Sequence, residues 1–206
     1  MFTGIVENIG LIKKISKRGG SNYITIGNTF DELLEIGSSV AMDGVCLTVI
    51  ECTLDSFQVE ISPETFEKTT VKYYKVGYPV NLERAVKYGN RMDGHFLLGH
   101  IDSVGRISKL QSVNERTEIK VDYPNEFDPL VVYKGSVAVN GISLTIAKKE
   151  RSTFSVAIIE HTYTNTTLKL LRAGSLVNLE FDIILKGVNT FNRRSDVKKR
   201  NPISFY

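Results

Sequence analysis

"SVAMDGVCLTVIE" runs from Ser39 to Glu51, and "SVAVNGISLTIA" runs from Ser136 to Ala147. Two phrases this alike, 97 residues apart, decide the architecture. Each reads as two short apolar strands around a tight turn, Asp43-Gly44 in the first and Asn140-Gly141 in the second. Asp-Gly and Asn-Gly are strong hairpin signals, because both central residues of the favoured turn must tolerate positive φ. The copies differ at one chemically telling position: Cys46 carries a thiol where Ser143 carries a hydroxyl (46 + 97 = 143).

Working outward, residues 39–84 lie on 136–181 without a gap. Thr69-Thr70 meets Thr166-Thr167, and "VNLE" occurs at Val80–Glu83 and again at Val177–Glu180. Upstream the offset is 95, so that Gly4, Val6, Glu7 and Gly10 meet Gly99, Ile101, Asp102 and Gly105. A two-residue difference in one loop accounts for the change, and the second copy starts near Gly94. A repeat this long is a whole domain rather than a solenoid unit. Phe57, Val59 and Ile61 alternate with Gln58, Glu60 and Ser62, and Phe154, Val156 and Ile158 repeat the apolar spacing, which predicts half-buried strands. Short helices are predicted over Pro63–Thr69, with proline at the first position, and over Glu160–Thr166. Many short strands with glycine turns imply an all-β chain with one small closed antiparallel barrel per copy, a closure that removes exposed edges.

Composition narrows the function. The net charge of +3 is too balanced to argue for nucleic acid, and the basic run from Asn192 to Arg200 reads as a solvated tail. No apolar stretch approaches the ~20 residues of a membrane span, and the start lacks a secretory pattern. Two cysteines make no disulfide framework, so a reducing, cytoplasmic setting is expected. Cys46 and Cys52 would stand ~20 Å apart on an extended strand, too far to share a zinc ion without a bend.

The opening "MFTGIVE", the paired hairpins, "SPETFEKTT", and "NLERA" leading into "DGHFLLGHID" together resemble the riboflavin synthase family. The resemblance covers both repeats and falls away after about Lys186. It implies two tandem six-stranded Greek-key barrels, over residues 1–92 and 93–186, with 187–206 as a C-terminal helix or tail. It further implies dismutation of two 6,7-dimethyl-8-ribityllumazine molecules into riboflavin and a ribitylamino-pyrimidine, without metal or organic cofactor. A homotrimer, with the site between subunits, and a candidate association with lumazine synthase are implied on the same ground. Two similar pockets suit the reaction, since holding two reactants together makes their encounter effectively unimolecular.

Transferred residue by residue, the family pattern places ligand contacts at Gly4, Ile5 and Val6, at Cys46, Leu47 and Thr48, and at Glu60, Ile61, Ser62, Pro63, Glu64 and Thr65. For the second barrel it places them at Gly99, His100 and Ile101, at Lys134, at Ser143, Leu144 and Thr145, and at Ala157, Ile158, Ile159, Glu160, His161 and Thr162. Phe2, Ser39 and Asp182 join Cys46, His100 and Ser143 near the reacting centre. Taken alone, Cys46 is more often a small buried hydrophobe than a reactive group, a reading that the polar Ser143 at the equivalent position shifts toward a pocket, and the threonines read also as ordinary strand formers. A thiol could instead relay a proton or add to an activated ring. An imidazole such as His100 suits removal of acidic methyl protons, with His95 in support. His161 standing where the first copy has Glu64 predicts that the two pockets hold their ligands differently. Gly187, Asn189, Thr190 and Asn192 are mediocre helix formers, which weakens the case for a trimerising helix. A barrel pair that only carries lumazine or flavin, and a flavin-dependent reductase barrel, are the alternative readings. The sequence shows no glycine-rich dinucleotide domain following a strand, which counts against the second.

Overall fold

The computed structural model describes residues 1–113 and 116–200. The first barrel is built from β1 (Asn8–Arg18), β2 (Ser21–Gly27), β3 (Ser39–Met42), β4 (Val45–Cys52), β5 (Ser56–Ile61) and β6 (Pro79–Arg84). The second is built from β7 (Ser103–Val113), β8 (Arg116–Asp122), β9 (Ser136–Val139), β10 (Ile142–Glu150), β11 (Thr153–Ile158) and β12 (Leu176–Phe181). Each closes on itself with the same strand order, β1-β2-β5-β4-β3-β6 and its copy. Three hairpin-linked strands, β3 to β5, are followed by β6 returning beside β3, which is the Greek key.

The duplication reaches the irregularities. Bulges interrupt β1 between Ile12 and Lys14 and β7 between Ile107 and Lys109, and they recur in β4 after Val49 and in β10 after Ile146. A bulge adds local twist and bends its strand, which a six-stranded sheet needs in order to close. Val59 with Val156, and Leu82 with Leu179, sit at 0–1% exposure in equivalent core places. The alternation of β5 fails at one position: Gln58 is buried rather than solvated, and its amide donates to Thr25 Oγ1 on β2.

Each barrel is flanked by a short helix, α1 (Pro63–Lys68) and α2 (Glu160–Asn165), ending one residue short of the sequence expectation. Ser62 caps α1 by accepting from the Thr65 amide, whereas Ile159 gives α2 no side-chain cap. The segment after the second barrel is a helix, α3 (Ile183–Arg200). It starts before the weak helix formers, where Asp182 Oδ1 accepts from the Ile184 amide and Lys186 pairs with Asp102 at 2.6 Å. Those anchors outweigh poor propensity, which is only a weak prior. Of the expected tail, residues 201–206 lie outside the described residues, as do the side chains from 193 onward.

The two hairpin turns meet at the junction of the barrels. Asp43 and Gly44 have φ of 45° and 80°, and Asn140 and Gly141 have 47° and 76°, the two positive values of a type I′ turn. A Cβ on Gly44 would lie 2.7 Å from the Gly141 amide nitrogen, and one on Gly141 would lie 2.6 Å from that of Gly44. Only glycine fits. Around this contact Asn81 donates to the Asn140 carbonyl and accepts from the Thr167 amide. Asn178 mirrors it, donating to the Asp43 carbonyl and accepting from the Thr70 amide.

The symmetry breaks at one charge. Asn140 Oδ1 accepts from the Asn178 amide, but the equivalent Asp43 accepts from the Asn81 amide and, at 2.6 Å, from the Tyr74 hydroxyl. Complete burial pushes Asp43 up from 3.8 to about 7, although both hydrogen bonds oppose the shift. A carboxyl raised in the folded state contributes its full stability below pH 3.8 and loses it as pH climbs through about 7. The shift corresponds to roughly 4 kcal/mol at most. Asp43→Asn, which copies Asn140, is therefore expected to raise the unfolding free energy at pH 8 by a few kcal/mol more than at pH 4. Urea melts at both pH values measure this, and equal effects at the two would contradict it.

Candidate active site

Cys46 is the second residue of β4 and Ser143 the second of β10, both half-buried at the rim of their barrels. The extended segment that leads into each copy crosses to the opposite barrel. The Gly99 carbonyl accepts from the Cys46 amide at 2.9 Å, and the Gly4 carbonyl accepts from the Ser143 amide at 2.8 Å. Ile101 packs against the first core and Val6 against the second. A Cβ on Gly99 would overlap Cys46, and one on Gly4 would overlap Ser143.

This corrects the grouping expected from the repeat. Gly99, His100 and Ile101 stand with Cys46 in the first barrel rather than with Ser143, and Gly4, Ile5 and Val6 stand with Ser143. The repeat registers which residues are equivalent, but equivalence does not say which barrel a leading segment lies on.

The crossing segments are held by two carboxylates that the sequence shows only as the last letter of "VNLE". Glu83 accepts from the Thr3 amide at 2.7 Å, the Thr3 hydroxyl at 2.8 Å and the Gly4 amide at 3.1 Å. Glu180 accepts from the Leu98 and Gly99 amides at 2.8 and 3.0 Å. Burial pushes both carboxyls up, against the pull of these hydrogen bonds. The repeated motif was the signal for both residues; their function needed the fold.

Phe2 is tied down at 1% exposure by a two-way backbone bridge to Leu97, in a small cluster with Ala41 and Ala138 against which Cys46 packs. Ser39 faces Thr48 across the β3–β4 ladder. Thr48, Thr145 and His100 are exposed. Glu60, Ser62, Pro63 and Glu64 are exposed around the buried Ile61, and Ala157, Ile159, Glu160 and His161 around the buried Ile158. Thr65 and Thr162 are half-buried, while Leu47 and Leu144 belong to the cores. Lys134 is exposed with φ of 63° where the first copy has Gly37, a conformation costing a non-glycine residue about 1–2 kcal/mol. Asp182 caps α3. His95, only a supporting residue in the sequence reading, contacts Ser143 directly: its Nδ1 is 2.7 Å from Ser143 Oγ.

Open grooves run along both crossing segments. One of about 620 Å³ lies between Glu67–Tyr73 and Ile101–Val104, and one of about 280 Å³ is lined by Thr3, Ile5 and Glu7 on one side and by residues 83–87 with Asn90, Arg91 and Asp93 on the other. Neither is lined by Cys46 or Ser143. The lumazine binding domain model matches both copies, at residues 3–85 and 98–182, so the two crossed barrels are those of a tandem lumazine-binding protein. The chain is 36% identical over 204 residues to riboflavin synthase of Actinobacillus pleuropneumoniae, covering 98% of this chain and 95% of that one. It is 34% identical over 200 residues to riboflavin synthase of Bacillus subtilis (strain 168), covering 97% and 93%. The solved structure of LumP complexed with 6,7-dimethyl-8-(1'-D-ribityl) lumazine superposes with a TM-score of 0.79 at 27% identity, over 88% of this chain and 99% of that one. The chain belongs to the riboflavin synthase family.

The crossing makes a distinctive expectation. Glu180→Ala, in the second barrel, should speed amide exchange at Cys46 in the first, and Glu83→Ala should do so at Ser143. Each leaves buried amides unpaired, at about 1–3 kcal/mol apiece. Residue-resolved hydrogen exchange reads the pattern, and deprotection confined to the mutated residue's own barrel would refute the crossing.

Proposed function

We propose that the chain dismutates 6,7-dimethyl-8-ribityllumazine: one molecule gives a four-carbon unit to a second, yielding riboflavin and 5-amino-6-ribitylamino-pyrimidinedione. The observation that carries this reading is the crossed pair of barrel rims at Cys46 and Ser143. Both are built on the same backbone contact, a glycine carbonyl on a strand amide, yet they present a thiol in one and a hydroxyl in the other. A reaction between two copies of one molecule needs two sites of one shape, and it also needs them to act differently. The relatives named riboflavin synthase support the assignment.

In this reading Cys46 with His100 serves the first pocket and Ser143 the second, with backbone groups and threonine hydroxyls holding the ring and ribityl chain. A thiol ionises far more readily than a hydroxyl and is the better proton carrier. Loss of a proton-transfer group costs about 10² to 10⁴ in rate, whereas loss of one neutral hydrogen bond costs about tenfold at most. Incubation of the purified chain with 6,7-dimethyl-8-ribityllumazine and nothing else should produce riboflavin, with activity surviving dialysis against a chelator. Cys46→Ala should lower kcat far more than Ser143→Ala, while both variants still bind riboflavin. Binding without turnover in the unmodified chain would favour a ligand carrier.

The assembly belongs to the same proposal. Ile184, Val188 and Phe191 form an exposed apolar stripe at i, i+4 and i+7 along α3, a pattern suited to helix-on-helix packing. With the family resemblance it supports a trimer in the cytoplasm, with each complete site shared between neighbours. That fits grooves that are open in the single chain. Sedimentation of Val188→Asp should show monomers with little turnover, and a trimer unchanged by the substitution would exclude this stripe as the contact.

A further inference from the structure

We infer that His95 is a positioning residue for the second pocket, orienting the Ser143 hydroxyl, and that this pairing is what distinguishes the Ser143 site from the Cys46 site. The inference rests on the dismutation reading above and deepens it.

Three observations carry it. His95 Nδ1 and Ser143 Oγ are 2.7 Å apart, at the short end of the range for a hydrogen bond involving a ring nitrogen. Both partners are fixed by the same leading segment. The His95 amide donates to the Thr3 carbonyl at 3.0 Å and the Ser143 amide donates to the Gly4 carbonyl at 2.8 Å, with Glu83 clamping Thr3 and Gly4 from behind. The pair is therefore preorganised by backbone contacts, rather than by two side chains meeting by chance. Among the described residues no imidazole bonds Cys46, so the equivalent position of the first barrel lacks this partner.

The chemistry follows from the acid–base state of the ring. Burial lowers the pKa of His95, the negative charge of Asp182 opposing the shift, which favours a neutral imidazole around pH 7. A neutral ring holds one N–H and one lone pair. With the lone pair on Nδ1, the ring accepts a hydrogen bond from the Ser143 hydroxyl and leaves the Oγ lone pairs to face the pocket as acceptors. With the proton on Nδ1, Ser143 turns its own O–H outward. Either tautomer fixes the direction of a hydroxyl that would otherwise rotate freely.

The test compares kcat and KM for lumazine turnover in the full-length chain across five forms: unmodified, Ser143→Ala, His95→Leu, His95→Asn and the double variant Ser143→Ala/His95→Leu. Asparagine can place an amide atom where Nδ1 stands and keep the bond; leucine fills the space without it. His95→Leu is expected to lower kcat about tenfold, the upper range for one neutral hydrogen bond, with KM within about twofold. His95→Asn should recover most of that loss, and His95→Leu should cost nothing further once Ser143 is alanine. Additive losses in the double variant, an asparagine form as slow as the leucine form, or a change confined to KM would overturn the inference. Should the leucine form fail to fold, His95→Gln, whose amide reaches the Nε2 position, replaces it with the same expectation. If the unmodified chain turned over no lumazine, the functional reading would fall instead. The pairing would then be judged by nitrogen NMR, where Ser143→Ala must shift the Nδ1 resonance of His95.

Discussion

The structure depends on the contact between Gly44 and Gly141. Two hairpin turns meet backbone to backbone, with no room for a single added carbon on either side. So close an approach leaves the polar groups of both turns inside the protein, where an unpaired amide or carbonyl is costly. Asn81 and Asn178 resolve this by reaching across, each bonding both a turn carbonyl and a threonine amide of the opposite copy. The barrels are thereby fixed relative to each other by directional bonds rather than by a greasy interface alone.

That fixed relation is what makes the crossing segments workable. A leading strand can complete the opposite barrel's rim only if the opposite barrel is always in the same place. Glu83 and Glu180 then set the segments in position, each carboxylate collecting two backbone amides. The outcome is a pair of sites in which neither barrel is self-sufficient: Cys46 is bonded through Gly99, and Ser143 through Gly4. This interdependence fixes the two rims relative to each other within one chain.

Near-perfect symmetry makes the departures informative. Asp43 faces Tyr74 where Asn140 has no such partner, Ser62 caps α1 where Ile159 leaves α2 uncapped, and His95 bonds Ser143 while no imidazole bonds Cys46 among the described residues. The first is a matter of stability at the junction. The other two lie at or against positions that the family resemblance assigns to ligand contact.

The sequence by itself determined the duplication, the barrel class and the identity of the paired positions. Asp43-Gly44 and Asn140-Gly141 write the same tight turn twice, and strand alternation repeats at a constant offset. Both are local signals, legible because turn geometry and pleat depend on near neighbours. Even the residues of the two clamps were visible, as the repeated "VNLE". What only the tertiary structure decided was which partner each of these residues meets. Gly99 lies on the first barrel and Gly4 on the second, Gln58 is buried rather than solvated, and His95 finds Ser143 across 48 residues of chain. A repeat fixes equivalence between copies. It carries no information on whether a segment serves its own copy or the other, because that choice turns on packing between surfaces distant in sequence.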